Sequence, residues 1–228
     1  MLSKQTRTRL KDFENSLTTY IPSNEYIVVE MKLKNPKEIF RNEDLFDQYE
    51  ILREVGQKTA YNTKADFYFT TATKIYFIYN PAEHRPFKGC STKLLTHITS
   101  DLSIEMLKEL VIYGYDVENY FGFTGKIFNA FKRFSVAEFI NQEFQYNYIN
   151  SMTRFLSTRY DQKEYIGMTV TNMMKIYDKD LTELPENVKQ GNRFVFDKLN
   201  HEFVELEDSI YDIFNKFAPV EQKESVTS

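Results

Sequence analysis

Apolar and polar residues alternate with two periods along this chain, and the switches between them mark its elements. From Tyr26 to Lys34 the period is two. Ile27, Val29, Met31 and Leu33 fall on one side, and Tyr26, Val28, Glu30, Lys32 and Lys34 on the other. Such alternation predicts a strand. Before it, Leu10, Phe13 and Leu17 recur at helical spacing, so residues 4–20 read as an amphipathic helix ended by Pro22. After it, Asn35-Pro36 breaks the chain. Residues 37–56 then carry a helical stripe of Phe40, Leu45, Phe46, Tyr49, Leu52 and Val55, with Gly56 as the stop.

Residues 65–79 are dense in aromatic and β-branched side chains. They predict two strands, Asp66–Thr70 and Lys74–Tyr79, around a turn at Thr71–Thr73. Two prolines and a glycine make residues 80–91 a loop. Beyond it the helical period dominates. Ser103–Tyr113 carries Ile104, Leu107, Leu110 and Val111, and Gly114 suits a left-handed residue just past the helix end. Residues 125–134 read as a short aromatic helix. Ser135 and Glu138 have the spacing of a capping box ahead of a long helix from Val136 to about Tyr160. Its stripe is Val136, Ile140, Phe144, Tyr148, Met152 and Phe155/Leu156. Residues 164–178 predict another helix. Residues 193–206 predict a hairpin turning at Asn200-His201, and Leu206, Ile210, Ile213/Phe214 and Phe217 a last helix ended by Pro219.

The expected fold is therefore α+β: a small antiparallel or mixed sheet packed on helices, with a mainly helical C-terminal two-thirds and a late β-hairpin. The expected organisation is an α/β part over residues 1–86, a mainly helical part over 87–218, and a flexible tail over 219–228. Whether the late hairpin joins the early sheet is not fixed by the pattern.

Composition adds two constraints. The chain has 228 residues, 42% of them hydrophobic and 27% charged, which is ordinary for a globular protein. It has 20 Phe, 16 Tyr, no Trp and only 7 Gly. Such a chain, also rich in Lys, Ile and Asn, is what AT-rich coding produces, as in a low-GC bacterium, a phage or another virus. Net charge is −4 but uneven: residues 1–100 sum to +3 and residues 101–228 to −7. One cysteine, Cys90, cannot form an internal disulfide, and residues 1–20 hold no apolar run of signal-peptide type. No stretch approaches 18 apolar residues, so no membrane span is expected and a cytoplasmic setting is (host cytoplasm or virion for a viral protein).

The sharpest chemical candidate is Glu30-x-Lys32. On a strand the two project side by side, as in metal-dependent nucleases where a second acid shares the metal and the Lys positions a water. The possible second acids are Asp12, Glu14, Glu25 and Asp66. The first two lie on the predicted helix, Glu25 starts the same strand, and Asp66 comes in the wrong order. An exposed strand face explains the pair more simply.

Gly122-Phe-Thr-Gly-Lys126 has the end of a phosphate-binding loop, but Tyr120 stands where that loop needs its first Gly and Ile127 where it needs Ser or Thr. Lys132 and Arg133 interleave with Phe128, Phe131 and Phe134, a combination that can hold single-stranded nucleic acid. The Phe spacing is equally that of a core-facing helix. His84, His97 and His201 show no metal-ligand spacing, and Cys90 lacks a nucleophile context. Met168, Met173 and Met174 read as core filler before they read as an adaptable binding surface.

No candidate has its full complement of residues, so no catalytic, cofactor or metal residue is assigned. The expectation is a non-enzymatic interaction or assembly protein, with protein partners or self-association and of phage or viral origin. The alternatives are the Glu30/Lys32 nuclease and a nucleic-acid-binding module.

Overall fold

The computed structural model describes residues 19–41, 44–82, 85–117 and 122–218. Residues 4–18 of the predicted N-terminal helix, with Asp12 and Glu14, and the predicted tail lie outside them, as does His84; Tyr20, at the helix's predicted end, instead forms an antiparallel bridge with Cys90. Six antiparallel strands form one sheet. They are β1 (Tyr26–Leu33), β2 (Phe67–Thr70), β3 (Lys74–Tyr79), β4 (Phe123–Ala130), β5 (Asn192–Asp197) and β6 (Glu202–Glu205). Their order is β4-β1-β3-β2-β5-β6. The fold is α+β, and the late hairpin joins the early sheet because β5 pairs with β2, placing Phe67 opposite Val195 and Thr70 opposite Asn192.

Helices cover both faces. Helix α1 is the short Pro36–Ile39, α2 is Leu45–Thr63, α3 is Ser91–Ile112 and α4 is Arg133–Leu156. Short helices α5 (Gln162–Tyr165), α6 (Val170–Ile176), α7 (Asp178–Leu181) and α8 (Glu186–Gln190) follow, and α9 (Ile210–Phe217) ends the described chain. On one face, Ile27, Val29, Met31, Leu33, Tyr68 and Phe77 pack with Ile51, Leu52 and Val55 of α2 and Leu94, Ile98, Leu102 and Met106 of α3. On the other, Tyr26, Val28, Tyr76, Ile78 and Phe69 pack with Val136, Ile140 and Phe144 of α4 and Ile213 and Phe214 of α9. Much of the aromatic wealth is spent here. Tyr68 stacks on Phe194 with centroids 4.3 Å apart, and Phe67 on Phe214 at 5.0 Å. A third cluster joins Tyr49 and Leu45 to Met152, Leu156, Met173 and Tyr177, so Met173 is core as expected, with Met168 and Met174 packed against it.

Several predicted boundaries move, each for a physical reason. Gly56 does not stop a helix. It lies inside α2, where a Cβ would come within 3.2–3.3 Å of Thr70, Ile75 and Tyr68, so glycine lets the helix lie close on the sheet. Residues 125–130 are strand and not helix, because the period-two set of residues 123–130 pairs along the whole of β1, and helix begins only at Arg133. Phe131 and Phe134 are consequently exposed, at 65% and 62%. Ser135 caps nothing; α4 begins at Arg133 without a side-chain cap. Residues 164–178 split at Gly167, whose φ of 80° breaks the helix between α5 and α6. Helix α3 starts twelve residues before the predicted Ser103, and its core seam is Leu94, Ile98, Leu102, Met106 and Leu110. Ile104, Leu107 and Val111 share helical spacing too, but they face outward.

Gly191 joins α8 to β5 with φ 76° and ψ 164°, a backbone state open almost only to glycine. An added Cβ would also lie 2.5 Å from the Thr70 carbonyl oxygen. Gly191→Ala is expected to lower unfolding free energy by about 2–4 kcal/mol, from backbone strain plus overpacking. Urea denaturation measures it, and a loss below about 0.5 kcal/mol would contradict the assigned backbone.

Candidate functional site

The strand β1 is buried from Tyr26 to Met31 and again at Leu33, and on the other face it ends with Lys32 exposed. Its neighbours share this gradient on the face that α4 covers. Three rows run across β4, β1 and β3. The first is Phe128, Val28 and Ile78; the second Lys126, Glu30 and Tyr76; the third Thr124, Lys32 and Lys74. The face passes from apolar to charged within three rows. One residue type per register position decides this, because alternation puts each side chain on a fixed side of the sheet.

Helix α4 lies along this gradient. Val136, Ala137 and Ile140 cover the apolar part. Phe139 meets Phe128 and Tyr76 edge-on, with centroids at 4.8 and 5.9 Å. One turn further on, Glu143 reaches the charged rows. Its Oε2 accepts from Lys74 Nζ at 2.6 Å and from the Tyr76 hydroxyl at 2.7 Å. Glu30, 7% exposed, places Oε1 3.4 Å from the same ammonium. Lys74 thus stands between two carboxylates. Lys32 and Lys126 are exposed beside them and make no ion pair with the described residues.

The β2–β3 turn that presents Lys74 is pinned from two sides. Asn147 of α4 accepts from the Ala72 amide at 2.9 Å and from the Tyr49 hydroxyl at 2.9 Å. Gln48 of α2 donates to the Ala72 carbonyl. The Leu33 amide donates to the Thr73 carbonyl at 2.9 Å, tying the end of β1 to this turn. Burial would raise the Glu143 pKa, but the hydrogen bonds from Lys74 and Tyr76 outweigh it and hold the carboxyl below its ordinary value. Burial, and then the bond to Glu143, push the Tyr76 hydroxyl well above the usual tyrosine range.

Among the described residues the nuclease arrangement is not formed; Asp12 and Glu14 lie outside them. The charged neighbour of Glu30 is an ammonium rather than a second acid. Asp66 sits at the far end of the hairpin, where it accepts from the Asn80 amide at 2.8 Å. Asn80 lies four residues past Tyr76, the partner of Glu30, or about 13 Å along the strand. Glu25 is engaged by Asn129. Among the described residues, no group of three or more His, Cys, Asp or Glu is placed to hold a metal ion.

The remaining candidates scatter. Gly122–Lys126 leads into and forms β4 instead of cradling phosphate at a helix start, although Lys126 reaches the charged rows by this other route. Cys90 is buried and free, and His97 pairs with Asp101 at 3.6 Å. His201 occupies the β5–β6 turn with φ 56°. Lys74, Tyr76 and Glu143 were not singled out by sequence. The alternation of Lys74, Tyr76 and Ile78 with Ile75, Phe77 and Tyr79 carried the signal, but it needed the strand pairing to acquire neighbours.

No family model and no curated protein matches the chain. Solved structures do. A bacterial tRNA(His) guanylyltransferase (Thg1)-like protein in complex with ATP is similar at TM-score 0.77 and 16% identity, over 93% of this chain and 96% of that one. A structure of the same description with GTP gives 0.73 and 16%, over 94% and 97%. The tRNA(His) guanylyltransferase of Saccharomyces cerevisiae gives 0.68 and 12%, over 88% and 97%. At these identities the likeness establishes the fold. It nevertheless corrects the expectation of a non-enzymatic, phage or viral assembly protein: the whole architecture is that of proteins named as nucleotide-transferring enzymes. No described helix is long and apolar enough to cross a membrane.

Loss of the Glu143 charge has a defined pH signature. A depressed folded pKa contributes stability above the unfolded value of about 4.3 and loses it as pH falls through the folded value. Glu143→Gln is expected to destabilise by roughly 1–2 kcal/mol at pH 7. The gap to wild type should close on acidification below about pH 4. Urea titrations at several pH values measure it, and a gap independent of pH would contradict the pairing with Lys74.

Proposed function

We propose that this chain binds a nucleoside triphosphate over the charged rows of the sheet and transfers its nucleotidyl group to an RNA end. The observation that carries the reading is the convergence of Lys32, Lys74 and Lys126 at one end of the α4-covered face. The likeness to proteins solved with ATP and GTP supports the nucleotide class, and the names of those proteins support RNA as acceptor. Ammonium groups are point donors suited to phosphate oxygens. In the proposed step, a hydroxyl oxygen of the RNA attacks the α-phosphorus, the α–β P–O bond breaks, diphosphate leaves and the hydroxyl proton passes to solvent. The chain's contribution is to position the phosphates and to stabilise the charge that develops on the leaving diphosphate. A cytoplasmic setting agrees with a single, unpaired cysteine.

Phosphoryl transfer commonly uses divalent ions held by several oxygen ligands. The donor set here does not fit such an ion, because the two carboxylates that face each other are already joined by Lys74 Nζ.

Equilibrium dialysis with ATP and with GTP tests the reading. Binding in the millimolar range or tighter is expected. Lys32→Ala and Lys126→Ala should each weaken it about fivefold, or roughly 1 kcal/mol for an exposed ammonium–phosphate contact. Absence of binding, or binding that neither variant changes, would refute the assignment. Incorporation of label from an α-labelled triphosphate into RNA tests the transfer step itself.

A further inference from the structure

We infer that Lys74 is the resident cation of this site, so that the triphosphate is held by ammonium groups directly and the protein itself ligates no divalent ion there. The inference rests on the nucleotide reading above and specifies how that site handles charge. Its ground is the geometry of three side chains from three elements. Glu30 of β1 and Glu143 of α4 are brought together across the sheet surface, and Lys74 of β3 places its Nζ 3.4 Å from one and 2.6 Å from the other.

A Mg²⁺ or Mn²⁺ bound to both carboxylates needs oxygens at about 2.0–2.2 Å, in the volume this nitrogen fills. The backbone that presents Lys74 is held in place. Its backbone amide donates to Thr71 Oγ1 at 3.1 Å, and its carbonyl accepts the Thr71 amide at 2.9 Å. Its register partner is Lys32, so moving the ammonium sideways brings like charges together. The second donor to Glu143 Oε2, the Tyr76 hydroxyl, is buried and fixed by the Phe139 ring. Two carboxylates, one of them nearly fully buried, are thus compensated by one bonded ammonium and the neighbouring Lys126, without a metal.

The arrangement makes opposite statements about wild type and a charge-removing variant. In Lys74→Met the stem is retained and the ammonium lost, leaving Glu30 and Glu143 facing each other with no cation between them and only Lys126 beside them. That pair should recruit a divalent ion. The experiment titrates Mn²⁺ into the full chain and reads the free-ion signal by electron paramagnetic resonance, beside ATP binding measured in EDTA and in Mg²⁺. Wild type should leave the Mn²⁺ signal unchanged, and ATP affinity should agree within about threefold between the two conditions. Lys74→Met should bind one Mn²⁺ at least tenfold more tightly than wild type, and adding Glu143→Gln should abolish that binding.

Mn²⁺ uptake by wild type that Glu30→Gln or Glu143→Gln removes would overturn the inference. So would ATP binding that requires Mg²⁺, or a folded Lys74→Met that takes up no Mn²⁺. If Lys74→Met does not fold, the wild-type titration decides alone. Failure of ATP to bind under either condition would remove the nucleotide reading, while the Mn²⁺ result would still decide the role of Lys74.

Discussion

The structure depends on β1 being an interior strand buried on both faces, with Lys32 its one exposed residue. Paired with β3 on one side and β4 on the other, it buries every side chain from Tyr26 to Met31. Backbone hydrogen bonding on both edges and apolar cover on both faces leave its register no freedom, because a one-residue slip would put Glu30 and Lys32 into the α2–α3 core and turn Val29 and Met31 towards the α4 side. Strand β1 therefore works as a ruler. The point where its cover ends fixes where charge can stand, and the pairing register sets which residues of β3 and β4 stand beside it.

At that point electrostatics takes over from burial. A carboxylate as enclosed as Glu30 is costly unless paired. Lys74 supplies the pairing and shares itself with Glu143, so the sheet and α4 are joined by an ion pair as well as by Val136, Ile140 and Phe144. The same ammonium divides the roles of the lysines. Lys74 is engaged inside the protein, while Lys32 and Lys126 present their charge to solvent.

Much of the architecture was legible in the sequence because period-two and helical patterns are local. Strands β1, β2 and β3, the late hairpin and the long helix α4 all lie near where alternation places them. The misreadings share one cause, a local pattern with two solutions. The Phe residues of 125–134 fit a helix stripe, but pairing along β1 makes residues 123–130 a strand. Helix α3 carries two apolar stripes, and only packing tells Leu94, Ile98 and Leu102 from the outward Ile104 and Val111. Gly56 resembles a helix stop until the sheet beneath it is known. The candidate site was half visible. Glu30 and Lys32 stand out by spacing, whereas Lys74 and Glu143 are respectively 44 and 113 residues from Glu30 in the chain and meet it only through tertiary structure.

The central claim is that the ligand surface is the charged end of the α4-covered face. Side-chain NMR of isotopically labelled lysines, recorded during a titration with GTP in EDTA, addresses it most directly. The expected result is that the Lys32, Lys74 and Lys126 resonances shift together and saturate at one concentration. Shifts confined to lysines elsewhere, with these three unmoved at saturation, would contradict it.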